Sequence, residues 1–362
     1  MGAWFIVQST MSATSTATFS LNEWLTKAVQ FKASDAHFHS NYPPLFRING
    51  VMTPFGEDKL TADKILAEIV KVLTPEEKQK FITNKDLDFV HEIPQVGRFR
   101  ASVFSTHSGI NTSFRIIPGK ASSLEELGLP AELKRFIDFH HGLLLITGPA
   151  GSGKSTTLAS LINLINEHHS GHHILSLEDP IEIMHQNKQC VINQRQVIHH
   201  TQSYARAMRA ALREDPDIVV IGEMRDAETI ALALTASETG HLVMASMHTT
   251  NAVKSISRII DSFPPEKQSQ IRTMLSESLQ AVFSQQLLPS ATGDSRVPAY
   301  ELLFVTSAIS NLIREKKTFQ IPSAMQMGKL QGMMTLNQCI GDLLRAGKIS
   351  PETAKRYSED GA

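Results

Sequence analysis

Apolar residues follow two rhythms along this chain. Before about residue 118, short alternating runs mix with helical spacing; beyond residue 125, blocks of consecutive apolar residues recur between longer amphipathic stretches. Leu21, Trp24, Leu25 and Ala28 stand at i, i+3, i+4 and i+7, which predicts an amphipathic helix, and Ser20 and Glu23 have capping-box spacing at its start. Residues 43–51 carry Asn49-Gly50 between apolar runs, a hairpin signal because both turn residues tolerate positive φ. Residues 59–72 read as a helix, and Thr74-Pro75-Glu76-Glu77 opens another. Residues 86–90, 97–106 and 112–117 read as short strands. Residues 20–118 are thus expected to form a small α+β domain. Residues 1–19, rich in Ser, Thr and Ala, are expected to be a disordered lead-in, with Met11 a candidate for the natural start.

A polar stretch at 119–124 is the expected linker. Beyond it come Leu143-Leu144-Leu145-Ile146, Ile174-Leu175-Ser176-Leu177, Ile218-Val219-Val220-Ile221 and Leu242-Val243-Met244-Ala245. Such runs suit strands buried on both faces, and their alternation with helices predicts a parallel α/β core over 125–291. From 292 to 362 the chain is expected to be mainly helical.

Composition removes several functions. With 35 Lys+Arg against 36 Asp+Glu, the 362-residue chain has no global basic excess for binding nucleic acid. Cys190 and Cys339 form no C-x-x-C pair, which excludes a disulfide framework and an ordinary cysteine zinc site and suits a reducing cytoplasm. The apolar stretch 3–7 is too short to span a bilayer, and no run of 18 apolar residues occurs, so any membrane association is expected through partners. His pairs at 140–141, 168–169, 172–173 and 199–200 invite a metal reading, but Gly171 breaks helical spacing between the middle two.

The chemistry concentrates in Gly148-Pro149-Ala150-Gly151-Ser152-Gly153-Lys154-Ser155-Thr156. This matches G-x-x-x-x-G-K-[ST] between an expected strand and an expected helix, whose inward stripe is Leu158, Leu161, Ile162 and Ile165. Glycines let backbone N–H groups converge on phosphate, Lys154 reaches the β- and γ-phosphates, and Ser155 is the candidate Mg²⁺ ligand. Such a loop needs an acid at the end of a neighbouring strand; the run 218–221 delivers Glu223 there. Glu178, Asp179 and Glu182 crowd three carboxylates into five residues, and Glu182 or Glu178 is the candidate general base. His248-Thr249-Thr250 ends the last of these strands as a polar cap suited to sensing γ-phosphate, and His241 precedes the same strand.

Together and in this order, these residues resemble the PilT family of type IV pilus retraction ATPases, within the secretion-ATPase superfamily. Residues 177–182 resemble that family's Asp box, 221–226 its Walker B, and 239–250 its His box; 211–217, 274–280, Ser34-Asp35-Ala36-His37 and Pro43-Pro44 extend the likeness. The resemblance implies a PAS-like first domain, a RecA-like second domain and a homohexameric ring that hydrolyses ATP with Mg²⁺. It assigns Glu182 as base, Glu223 as the Walker B acid and His241 and His248 as the His-box residues. It also points to Arg98, Arg100 and Arg115 of the first domain as cations that approach the nucleotide. Retraction motors of that family carry A-I-R-N-L-I-R-E; Ala308-Ile309-Ser310-Asn311-Leu312-Ile313-Arg314-Glu315 departs from it only at Ser310.

The implied partner is the inner-membrane platform protein of the pilus machine, with a paralogous retraction ATPase as a second, and the implied place is the cytoplasmic face of the bacterial inner membrane. A PilU-like accessory ATPase and another secretion-superfamily ATPase are the nearest alternatives. A nucleic-acid-translocating RecA-like motor would need basic loops and an aromatic-rich basic face, and charge neutrality opposes it. A nucleotide-gated assembly protein with negligible turnover is opposed by the intact acidic and His motifs.

Overall fold

The computed structural model describes residues 19–358 except Asn49, Pro118, Lys120 and Asp294. Apart from Phe19, the expected lead-in, including Met11, lies outside the described residues, as does the first residue of the Asn49-Gly50 turn. The chain divides into two compact units, Met1–Pro118 and Gly119–Ala362.

The first unit is an antiparallel six-stranded sheet with helices on one face. In chain order it comprises α1 (Leu21–Gln30), β1 (Asp35–Phe38), β2 (Leu45–Ile48), β3 (Val51–Pro54), α2 (Ala62–Val72), α3 (Pro75–Asn84), β4 (Asp86–Ile93), β5 (Gly97–Thr106) and β6 (Gly109–Ile117), with strand order β3-β2-β1-β6-β5-β4. Period-two alternation places Phe38, Phe46, Phe99 and Phe114 on the buried face against Leu25, Ile65 and Ile69. Burying each such side chain contributes about 2–3 kcal/mol. Phe19 packs edge-on against Phe38, 5.4 Å between centroids, so it belongs to this core.

The capping box expected at Ser20 does not form. Ser20 makes no side-chain cap; the Leu21 N–H donates instead to Glu68 Oε2 of α2 at 2.9 Å, so a carboxylate 47 residues away satisfies the helix start. The helix expected from residue 59 begins at Ala62, because Thr61 caps the Lys64 N–H. At α3, Thr74 and Glu77 cap each other's backbone reciprocally.

The second unit opens with a 3₁₀ segment (Ala131–Asp138) and then alternates β7 (Gly142–Thr147), α4 (Lys154–His168), β8 (His173–Glu178), β9 (Val191–Gln196), α5 (Tyr204–Ala211), β10 (Ile218–Ile221), α6 (Ala227–Glu238) and β11 (Leu242–Met247). Two helices follow, α7 (Ala252–Asp261) and α8 (Pro265–Ser278), then β12 (Leu279–Pro289) and β13 (Arg296–Phe304). The seven-stranded sheet runs β13-β12-β7-β11-β10-β8-β9, parallel except for β13. Every residue of β7, β10 and β11 is buried, as their unbroken apolar runs require.

The expectation of helices from residue 292 needs correcting. Residues 296–304 form strand β13, registered on β12 from Ala281↔Phe304 to Pro289↔Arg296. Pro298 disguises it in the sequence, yet an edge strand tolerates proline where its missing N–H faces outward. Strand β9 carries no apolar run to mark it, since Ile192 is its one buried apolar residue. Only after β13 does the chain turn to helices, with α9 (Ser307–Arg314), α10 (Ile321–Met327), α11 (Leu336–Arg345) and α12 (Pro351–Tyr357). Helix α9 buries Ile309 and Ile313, and Ser310 donates to the Ser276 carbonyl of α8 at 2.5 Å, so the residue that departs from the signature ties these helices together. No helix among the described residues is long and apolar enough to cross a membrane.

Candidate nucleotide site

Strands β7 and β11 end at one level, with Met247 registered on Thr147, and the pairing of β12 with β7 stops there too, at Ser284, although β12 itself runs on to Pro289. From that edge the chain makes the loop 148–153 and enters α4. Gly148, Gly151 and Gly153 adopt φ of +148°, +74° and +92°, conformations that side chains disfavour, and Gly153 caps the helix in the left-handed region. Lys154 is buried, and its Nζ donates to the Gly148 and Pro149 carbonyls at 2.9 and 3.0 Å. Burial pulls the Lys154 pKa down, while the carboxylates of Glu223 and Glu182 oppose that shift. Ser155 is exposed on the first turn of α4 and Thr156 half-buried beside it.

Glu223 follows β10, which is not adjacent to β7 as the sequence reading assumed: β11 lies between them. The intervening strand delivers His248 into that gap. His248 Nε2 lies 2.8 Å from Glu223 Oε1, and its Nδ1 lies 3.3 Å from Lys154 Nζ. An ammonium can only donate, so Nδ1 accepts and Nε2 carries the proton given to Glu223. Glu223 Oε2 accepts from Arg225 at 2.5 Å. Desolvation works to raise the Glu223 carboxyl, but the Arg225 hydrogen bond and the neighbouring His248 outweigh it and hold the pKa below the ordinary range. Gly222, just before Glu223, sits in a tight place: a Cβ there would lie 3.1 Å from the Leu177 carbonyl and the Tyr204 hydroxyl.

Glu178 and Glu182 differ sharply. Glu178 points inward and accepts from Ser176 Oγ at 2.7 Å and Gln194 Nε2 at 2.9 Å; burial pushes its pKa up. Glu182 is half-buried and is not tied by a hydrogen bond to any described side chain. Gln194 also donates to the Ile183 carbonyl and accepts the His185 N–H, so one amide on β9 holds the acidic loop in place.

His241 is not brought to this edge. It precedes β11, its N–H and Nδ1 both engage the Ala236 carbonyl at 3.1 Å, and its own carbonyl accepts from Gly142 at the start of β7. Six strand residues at ~3.3 Å each put it roughly 20 Å from the loop end of the sheet. The three arginines lie in the first unit, on the sheet face opposite its core. Arg115 Nε donates to Asp35 Oδ1 at 3.0 Å, and Arg100 is its registered neighbour on β5. Both border a polar cleft of about 260 Å³ with Asp35, His37, Asp88 and Ser102. Arg98 is half-buried and pairs with Glu92 at 3.6 Å. Of the His pairs, His169 and His172 stack edge-on, 5.5 Å between centroids; among the described residues no group of His, Cys, Asp or Glu is arranged to hold a metal.

Sequence reasoning gave no role to Arg225, Gln194 or Gln285. For Arg225 a signal existed, an arginine two residues beyond the strand-end acid; the two glutamines act only through tertiary contacts.

A mostly parallel sheet with a glycine loop leaving an interior strand, and a histidine and an acid at the ends of the next two strands, defines a RecA-like P-loop ATPase core. The chain belongs to the type II/IV secretion system protein family, whose model matches residues 12–338. It is 46% identical over 317 residues to the twitching motility protein of Neisseria gonorrhoeae, covering 88% of this chain and 84% of that protein. It is 45% identical over 339 residues to the type IV pilus retraction ATPase PilT of Pseudomonas aeruginosa, covering 94% and 98%. Its structure is similar to the crystal structure of the pilus retraction motor PilT with bound ADP, with TM-score 0.88, 42% identity and coverage of 94% and 98%.

Proposed function

We propose that the chain is the ATPase motor of type IV pilus retraction, working as a homohexamer. The observation that carries this reading is the line Lys154, His248, Glu223 at the loop edge of the core sheet, which links a phosphate-binding cation to a carboxylate kept ionised. ATP binds with its phosphates in the loop 148–153, and Lys154 leaves the Gly148 and Pro149 carbonyls for the β- and γ-oxygens. The site suits Mg²⁺: the Ser155 hydroxyl and the Glu223 carboxylate are hard oxygen donors, as that cation prefers. When bound, the ion would neutralise charge on the phosphates.

Glu182 is the base that orients and deprotonates the attacking water, since its carboxylate is unengaged and acts on Lys154, whereas Glu178 is committed to Ser176 and Gln194. His248 orients Glu223 and reports loss of the γ-phosphate through its bond to Lys154. Arg100 and Arg115, with Arg98 behind them, supply positive charge to a nucleotide held by another copy of the chain. The motor docks on the inner-membrane platform protein at the cytoplasmic face and works with a paralogous retraction ATPase.

Surface pili counted in a deletion strain test this reading. A retraction motor predicts more pili with lost twitching. Loss of pili would assign the chain to assembly, and normal twitching with unchanged pili would make it accessory.

A further inference from the structure

Gln285 sits on β12, on the side of β7 away from His248 and Glu223, and is only 4% exposed. Its Nε2 donates to the Ser152 carbonyl at 2.6 Å, and its Oε1 accepts from Thr157 Oγ1 at 2.8 Å. A backbone carbonyl only accepts, so Ser152 fixes which way the amide faces, and the Thr157 hydroxyl must then donate. One buried side chain thus joins the end of the glycine loop to the first turn of α4.

Two glycines of the loop approach Gln285 closely. A Cβ at Gly148 would lie 2.1 Å from the Gln285 carbonyl oxygen, and one at Gly153 would lie 3.0 Å from its Nε2. The Gly148 contact is to the backbone of β12 and holds whatever side chain stands at 285, whereas at Gly153 it is the Gln285 amide itself that lies against the loop. The strand beneath is pinned by the Thr147 and Ser284 hydroxyls, 2.7 Å apart.

We propose that Gln285 is the positioning residue of the phosphate loop. The peptide between Ser152 and Gly153 is planar and trans, so its N–H points opposite to its carbonyl. Holding the Ser152 carbonyl toward β12 turns the Gly153 N–H away from Gln285 and presents it to phosphate. The consequence is a contribution to nucleotide affinity, with little effect on bond cleavage. This rests on the loop being the nucleotide site.

The test compares Gln285→Leu, Gln285→Glu and Thr157→Val in the full-length protein, with ATP concentration varied and thermal unfolding followed in parallel. Gln285→Leu is expected to raise KM about tenfold, or ~1.4 kcal/mol, with kcat within about threefold. Gln285→Glu keeps the bond from Thr157, loses the donor to Ser152 and adds negative charge beside the phosphates, so its KM rises further. Thr157→Val removes one arm and raises KM by about two- to fivefold.

KM within about twofold of wild type in a folded Gln285 variant overturns the proposal, as does a fall in kcat at unchanged KM. Should neither Gln285 variant fold, Thr157→Val decides by the same criterion. Lys154→Ala is the separate control: undiminished turnover there would overturn the assignment of the loop, whatever Gln285 does.

Discussion

His248 donates from Nε2 to Glu223 at 2.8 Å while its Nδ1 stands 3.3 Å from the Lys154 ammonium. One imidazole thereby separates a cation from an anion and hydrogen-bonds to both. Removing it leaves Lys154 with its two carbonyls and Glu223 with Arg225, so binding groups persist but their relative placement is lost. His248→Ala is expected to lower kcat by about 10- to 100-fold with a much smaller change in KM. Steady-state kinetics decide this, and kcat within about twofold of wild type would remove His248 from the mechanism.

The two candidate bases, Glu182 and Glu178, are expected to separate by substitution. Glu182→Gln should bind nucleotide yet hydrolyse it about 10²- to 10³-fold more slowly, since it removes the proton acceptor alone. Glu178→Gln should stay within about threefold of wild type, because burial already disfavours its charged form and an amide oxygen can still accept from Ser176. Nucleotide binding and single-turnover hydrolysis measured on both variants check the assignment; the reverse pattern would make Glu178 the base.

Arginines on one polar face call for an experiment on mixed subunits. Lys154→Ala keeps the arginines and loses the loop; a double Arg100→Ala, Arg115→Ala variant keeps the loop and loses the arginines. If the arginines act on a neighbour's nucleotide, mixing two inactive preparations restores a fraction of wild-type turnover. Action within one chain predicts no recovery at any ratio.

His185 lies in the acidic loop, and burial lowers its pKa to about 4. The folded state thus binds its proton less readily than the unfolded chain, where the value is 6.5. Its contribution is complete above pH 6.5 and is lost as pH falls toward 4, on the order of 3 kcal/mol at most. Unfolding by urea at pH 7.5 and pH 4.5 should show a smaller acid loss for His185→Gln than for wild type. Equal losses would place the acid sensitivity elsewhere.

The glycine loop, its helix and the strand-end acid were legible because each rests on local spacing that the phosphate chemistry demands. The buried strands β7, β10 and β11 were legible for the same reason, as apolar runs without interruption. What escaped was whatever depends on distant partners. Ser20 could not announce that Glu68 would take its place as a cap, and Pro298 hid an edge strand inside a stretch expected to be mainly helical. The insertion of β11 between the loop strand and the Glu223 strand follows from strand order, which no residue in those runs encodes. His241 and His248 share one short motif, yet a strand in parallel register sends them to opposite ends of the sheet. Gln194 and Gln285 are plain polar residues until folding sets them against the acidic loop and the glycine loop.

Strand β13 bears on how copies of this chain can meet. Its outward positions alternate along the edge: Pro298 has no N–H, the Tyr300 N–H donates to Cys339 Sγ, and Leu302 exchanges both backbone bonds with Met334. No backbone N–H at these three positions is left to donate to another strand. On this side the sheet has been closed by its own C-terminal segment, so association here must be read from side-chain surfaces, which substitution can retune without unravelling the core.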